Sequence, residues 1–100
     1  MQTKTIIAPI VHLNGTSKRG LTEPIDDALE TIREAYDKLK KCAPNGRDYY
    51  PHTESQQAMS RAQTEHRERL LALHNLQAEL EALWTAIEDQ ERTASFELTE

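Results

Sequence analysis

Residues 45–51, NGRDYYP, set a guanidinium, a carboxylate and two phenol rings side by side in one connection. Arginine forks onto phosphate or carboxylate through paired N–H donors. A tyrosine ring can stack on a base or cap a ribose. Arg61 and Arg67 follow in the next stretch and would add forked contacts. A second polar cluster, HLNGTS at residues 12–17, stands where a helix is about to begin. Helix N-termini carry unpaired N–H groups and positive potential, so anions settle there. The chemistry these residue types support is recognition of a small phosphorylated molecule. Its candidate lining is His12, Asn14, Thr16, Arg47, Tyr49, Arg61 and His66. A plainer reading needs no ligand: Asp48 pairs with Arg47 or Arg61, and the tyrosines close one end of a helical core.

Catalytic patterns are missing. His12, His52, His66 and His74 include no i,i+4 pair, and no cysteine or carboxylate completes a zinc spacing, so no metal site is expected. His66 also falls on an apolar stripe, where a core histidine is the bland alternative to a ligand-binding one. No nucleophile elbow, phosphate loop or dinucleotide glycine pattern occurs. Ser17 and His12 lack an orienting acid. Asp26 and Asp27 read as first-turn acids that complement a helix dipole. The expectation is a non-enzymatic protein with no cofactor and no catalytic residue.

The bulk numbers narrow the partners. The chain has 100 residues and a net charge of -5, from 12 basic and 17 acidic residues. That balance disfavours duplex nucleic acid and anionic membranes, both of which call for excess positive charge. The charge is uneven, however. Between residues 38 and 72 the bases Lys38, Lys40, Lys41, Arg47, Arg61, Arg67 and Arg69 outnumber the acids Asp48, Glu54, Glu65 and Glu68. Beyond residue 72, Arg92 stands alone among acids. A small anion therefore suits the connection and the start of the second helix, although charge of this kind is also ordinary for a solvated helix surface. The single Cys42 excludes an intrachain disulfide. No apolar run approaches the roughly 20 residues of a membrane span, and the N-terminus makes a poor signal peptide. A soluble cytoplasmic protein is expected.

These residues need elements to hold them. Residues 6–13, IIAPIVHL, are apolar and β-branched, but Pro9 removes a ladder donor and argues against a central strand. An extended arm over 1–16 that packs on helices fits better. Ser17 and Thr22 are both plausible starts for helix one, because Gly20 and Pro24 weaken the turn between them; the period is clear over about 22–42. Ile25, Leu29, Ile32, Tyr36, Leu39 and Ala43 share one face. Pro44 with Asn45-Gly46 ends that helix. After a loop at 43–53, with Thr53 and Gln56 placed as a capping box, helix two covers about 54–92. Its stripe is Met59, Ala62, His66, Leu70, Leu73, Leu76, Leu80, Leu83 and Ile87. Residues 94–100 lose the period and read as a frayed tail.

The predicted fold is all-α: residues 17–93 form a long antiparallel helical hairpin, with an extended N-terminal arm. Helix two is the longer and overshoots helix one. Leu76, Leu80, Leu83, Trp84 and Ile87 then need cover, from the arm or from another chain. A homodimer or higher oligomer built as a helical bundle is the favoured solution. In it, HLNGTS of one chain could approach the NGRDYYP loop of another around an anion.

With HLNGTS at 12–17, PNGRDYYP at 44–51 and EHRERL at 65–70, the chain resembles a family of small uncharacterised tailed-bacteriophage proteins. The resemblance covers most of the chain. Relatives continue from HLNGTS into an unbroken helix, and Gly20 and Pro24 depart from that. The resemblance implies an accessory protein made in the cytoplasm of an infected bacterial host. Accessory proteins of that class act against host defence, by sequestering nucleotide signals between subunits or by binding a defence protein. The leading expectation is a sponge for a small phosphorylated or nucleotide ligand. A helical inhibitor of a host defence protein and a minor phage structural component are the alternatives.

Overall fold

A computed structural model describes the backbone of residues 5–98 and the side chains of residues 5–90. Its regular structure is α1 over Lys18–Lys40 and α2 over Ser55–Leu98, with a 3-10 turn at Gly46–Asp48 between them. No strand occurs among the described residues, and the fold is all-α. No helix there is long and apolar enough to cross a membrane.

Helix α1 begins at Ser17, not near Thr22. The Ser17 hydroxyl accepts the Gly20 N–H at 3.0 Å, and the Ser17 carbonyl accepts that of Leu21 at 3.0 Å. Such a cap satisfies donors that a helix start otherwise leaves orphaned. Gly20 fits beneath it for a steric reason. A Cβ there would stand 2.8 Å from Thr16 Cγ2 and 3.1 Å from Ser17 Oγ. Pro24 consequently lies inside α1, where it removes the N–H that would bond the Gly20 carbonyl. Thr22 is buried in this stretch, its hydroxyl donating to the Lys18 carbonyl at 3.1 Å. Because the cap is so early, Asp26 and Asp27 fall beyond the first turn, which contains no acid. They are not the dipole-complementing pair that the sequence suggested.

At the other end, Lys38 and Lys40 occupy the last turn of α1 and complement its dipole. The N–H groups of Lys41, Cys42 and Ala43 close onto Lys38, Leu39 and Lys40 in tight i→i−3 bonds. Helix α2 starts at Ser55, with the Ala58 N–H on the Glu54 carbonyl at 3.0 Å. Glu54, not Thr53, is therefore the cap residue, and the capping box expected from Thr53 and Gln56 does not set the helix start. The helix runs on to Leu98, past Arg92, because no glycine or proline interrupts it. The part of the arm call over residues 1–4, and the part of the tail call over 99–100, lie outside the described residues.

The helices lie side by side in opposite directions. Lys18 Nζ meets Glu88 Oε1 at 2.8 Å and Arg33 meets Glu81 at 3.6 Å, while Tyr36 faces Arg67 and His74. The exposed Arg33–Glu81 pair contributes ~1 kcal/mol or less, and the Lys18–Glu88 pair is half-buried, so apolar burial must supply most of what holds the helices together. That burial is thin. The described core is Leu29, Ala62 and Ile87, joined by the polar Thr22 and His66. The molecule measures 72 × 25 × 17 Å with a radius of gyration of 20.4 Å, against ~13 Å for a compact chain of this size.

Register corrects one expectation about exposure. Since Lys18 reaches Glu88, α1 covers α2 as far as Ile87, which is only 1% exposed. Ile87 belongs to the chain's own core and is not available as an interface residue. Leu80, Leu83 and Trp84 are half-buried, and Leu76 alone of the group stays open, at 44%. The arm supplies cover at the far end. Gln90 clips it through one amide: its Oε1 accepts the Val11 N–H at 3.1 Å and its Nε2 donates to the Pro9 carbonyl at 2.8 Å. A strand neighbour would bond residues i and i+2 in the same pattern. A side chain stands in for it here, and Pro9 needs no donor.

Candidate functional site

The two polar motifs are folded tightly and kept apart. In HLNGTS, the Gly15 N–H turns back to the His12 carbonyl at 3.2 Å. The His12 ring lies against Gly15, where a Cβ would come within 2.6 Å of Nε2. Asn14 and Thr16 are exposed. In the loop, Asn45 Oδ1 accepts the Arg47 N–H at 3.0 Å, and its carbonyl accepts that of Asp48 at 3.0 Å. Tyr49 stacks on His52 at 5.7 Å between centroids and an interplanar angle of 14°. Tyr50 remains 75% exposed and does not close the core, while Tyr49 is half-buried. Helix α1, of 23 residues, separates the motifs by about 35 Å. No single copy brings them together.

The remaining candidates divide. Arg61 is held by Glu65 at 3.4 Å, a carboxylate it shares with Arg69 at 3.8 Å. Asp48 is paired with neither Arg47 nor Arg61 among the described contacts, and the Arg47 side chain is exposed. His66 is 7% exposed; it is a core histidine, as its place on the stripe allowed, and is closed to a ligand.

A groove that the spacing did not reveal lies beside the helix pair. Tyr36 of α1 and Thr64, Arg67, Glu68, Leu70, Leu71 and His74 of α2 line an open cleft of about 620 Å³. A smaller compartment of about 360 Å³ continues it past Arg33, Asp37 and Gln77, sharing Tyr36 and His74. The larger volume falls within the ~300–1,000 Å³ usual for small-molecule sites. Leu70 and Leu71 give it an apolar floor. Lys40 sits 5.4 Å from the Tyr36 ring centroid, which adds positive potential at that ring. Arg67 contacts the Thr64 hydroxyl at 3.3 Å and is bridged by no carboxylate among the described residues. Arg33, by contrast, is committed to Glu81.

These groups offer a set of binding contacts. The Thr64 hydroxyl accepts from Arg67 at 3.3 Å, and Glu68 and His74 line the same groove. No cluster of three or more metal-ligating side chains occurs among the described residues. The Arg67 guanidinium, which shares the lining with Glu68 without bridging to it, the aromatic face and the apolar floor suit a ligand that pairs an anionic group with a planar ring. Only Arg67 had drawn notice from sequence. Tyr36 was hidden as a stripe residue, and His74 as a neighbour of the stripe. Comparison with protein-family models, with curated proteins and with solved structures found no match.

Proposed function

We propose that this chain is a non-enzymatic, homo-oligomeric protein that binds a small phosphorylated or nucleotide ligand between subunits. The observation that carries the reading is the Tyr36–Arg67–His74 groove, in which a guanidinium without a carboxylate partner stands beside an aromatic ring. Phosphate takes the fork of Arg67; a base or other planar ring takes Tyr36. The thin core supports assembly, because a pair of helices this long buries too little by itself to be stable alone. So does the separation of the two motifs, which can meet only across a subunit boundary. The role we propose for the chain, on the HLNGTS, PNGRDYYP and EHRERL motifs alone, is that of an accessory factor in an infected host's cytoplasm that sequesters a nucleotide signal used in defence.

Isothermal titration with cyclic dinucleotides, ADP-ribose derivatives and mononucleotides tests this. One class should bind with heat evolved or absorbed in proportion to sites, and Arg67→Ala should weaken it at least tenfold, about 1.4 kcal/mol. Absence of binding to every nucleotide would refute the reading.

A further inference from the structure

The groove occupies one side of α2, and the opposite side carries a second pattern. Arg69, Ala72, Leu76 and Glu79 are spaced 3, 4 and 3 residues apart, so they share one face of the helix. Leu76 lies about 160° around α2 from His74. Arg69 and Ala72 are exposed, and Leu76 is 44% exposed. The arm leaves this stretch open. It is clipped at Gln90, about 24 Å along the helix from the midpoint of Ala72 and Leu76. The neighbouring side of α1, turned away from Arg33 and Asp37, carries Ala28 and Ala35 one heptad apart. Small residues there let another helix approach closely.

The four residues on α2 run base, small apolar, large apolar, acid. Reversed, each one meets its complement. Two copies of α2 packed antiparallel on this face, about a two-fold axis midway between Ala72 and Leu76, set each Leu76 on the other copy's Ala72. The same axis brings each Arg69 beside the other copy's Glu79. A parallel pairing would set leucine on leucine and bring like charges face to face. The rest of α2 has the same polarity. Residues 55–73 contain Arg61, Arg67 and Arg69 against Glu65 and Glu68. Residues 74–90 contain Glu79, Glu81, Glu88 and Asp89 and no base. Lys18 and Arg33 of α1 reach Glu88 and Glu81, while Glu79 is the acid on the face in question. Arg69 is able to turn toward it: its side chain is 61% exposed, and its contact with Glu65 is long, at 3.8 Å. The charge of α2 thus changes sign where Ala72 and Leu76 place the axis. An isologous interface requires a patch that is complementary to itself, and this one selects a second copy of the chain as its occupant.

We infer that a second copy of this chain docks antiparallel on the Arg69–Ala72–Leu76–Glu79 face of α2, through two Leu76–Ala72 contacts and two Arg69–Glu79 ion pairs, to give a two-fold bundle of four helices. This rests on the self-association proposed above and uses nothing of the groove, which lies on the other side of α2.

Charge reversal and rescue in the full chain, without ligand, test the inference. Within one chain Arg69 and Glu79 are about 15 Å apart along α2, too far to pair with each other, so rescue between them reads a contact between copies. In sedimentation velocity over a concentration series, Arg69→Glu and Glu79→Arg should each weaken dimerisation about tenfold. The doubly reversed chain should return to within about threefold of the unaltered one. All three should keep their helicity by circular dichroism. Single variants that associate like the unaltered chain, or a double variant no better than the singles, overturn the inference. Disulfide formation is the independent measurement. In a Cys42→Ser background, co-expressed chains carrying Ala72→Cys and Leu76→Cys should oxidise mainly to the mixed 72–76 product. An excess of 72–72 and 76–76 products would mean a parallel pair and also overturns it. An unaltered chain that stays monomeric sinks both this interface and the self-association beneath it; an oligomer indifferent to both reversals sinks this interface alone.

Discussion

At the scale of single residues, the three glycines have different jobs. Gly15 and Gly20 sit where a side chain would strike His12 or Thr16. Gly46 has open space around it and no positive φ. Its flexibility in the unfolded chain is a cost with no native requirement behind it. Gly46→Ala should therefore raise stability by ~0.4–1 kcal/mol, measured as a higher urea midpoint at unchanged slope. A lower midpoint would show that the loop needs a conformation that alanine does not tolerate. For the proposed binding, Arg67 is the corresponding residue, since Arg61 is already paired with Glu65. Arg61→Ala should change nucleotide affinity less than threefold, where Arg67→Ala changes it tenfold or more. Equal losses in the two variants would argue for a diffuse basic surface in place of a site.

At the scale of elements, the helix pair is held at few points. Ile87 is the most buried side chain among the described residues. Ile87→Ala should destabilise by ~2–5 kcal/mol, enough to erase most of the stability of a small domain. A loss under 1 kcal/mol would mean that neighbouring side chains collapse into the space. The arm depends on one amide. Gln90→Leu removes both of its bonds while keeping apolar volume, so hydrogen exchange at the Val11 N–H should accelerate at least tenfold while the α1 amides are unaffected. Unchanged exchange at Val11 would show that apolar contacts alone seat the arm.

Much of this level was legible in sequence. The stripes over Ile25–Ala43 and Met59–Ile87 gave two helices, and Pro44 with Asn45 gave the reversal between them. The start of α1 was ambiguous because Gly20 and Pro24 are weak helix residues, and only the Ser17 cap geometry decides between the two openings. Register was not legible at all. A four-residue shift in that start moves Lys18 to Glu88 and encloses Ile87, which the stripe alone left looking exposed. The groove was hidden for a related reason: Tyr36 and Arg67 are far apart in sequence, and only the antiparallel pairing brings them to one cleft.

At the scale of the whole molecule, the single chain leaves apolar surface uncovered. An extent of 72 Å goes with a thin core, exposed Ile7, Ile10 and Leu13 on the arm and an open groove beside the helix pair. We propose that chains associate and that an anionic ligand is held at the boundary between them. Native mass spectrometry tests that claim most directly, because it reads assembly and ligand together. With a chain mass of 11.4 kDa, the account predicts a discrete oligomer at micromolar concentration that gains an integral number of nucleotide masses on titration. A monomer that takes up no nucleotide would contradict it.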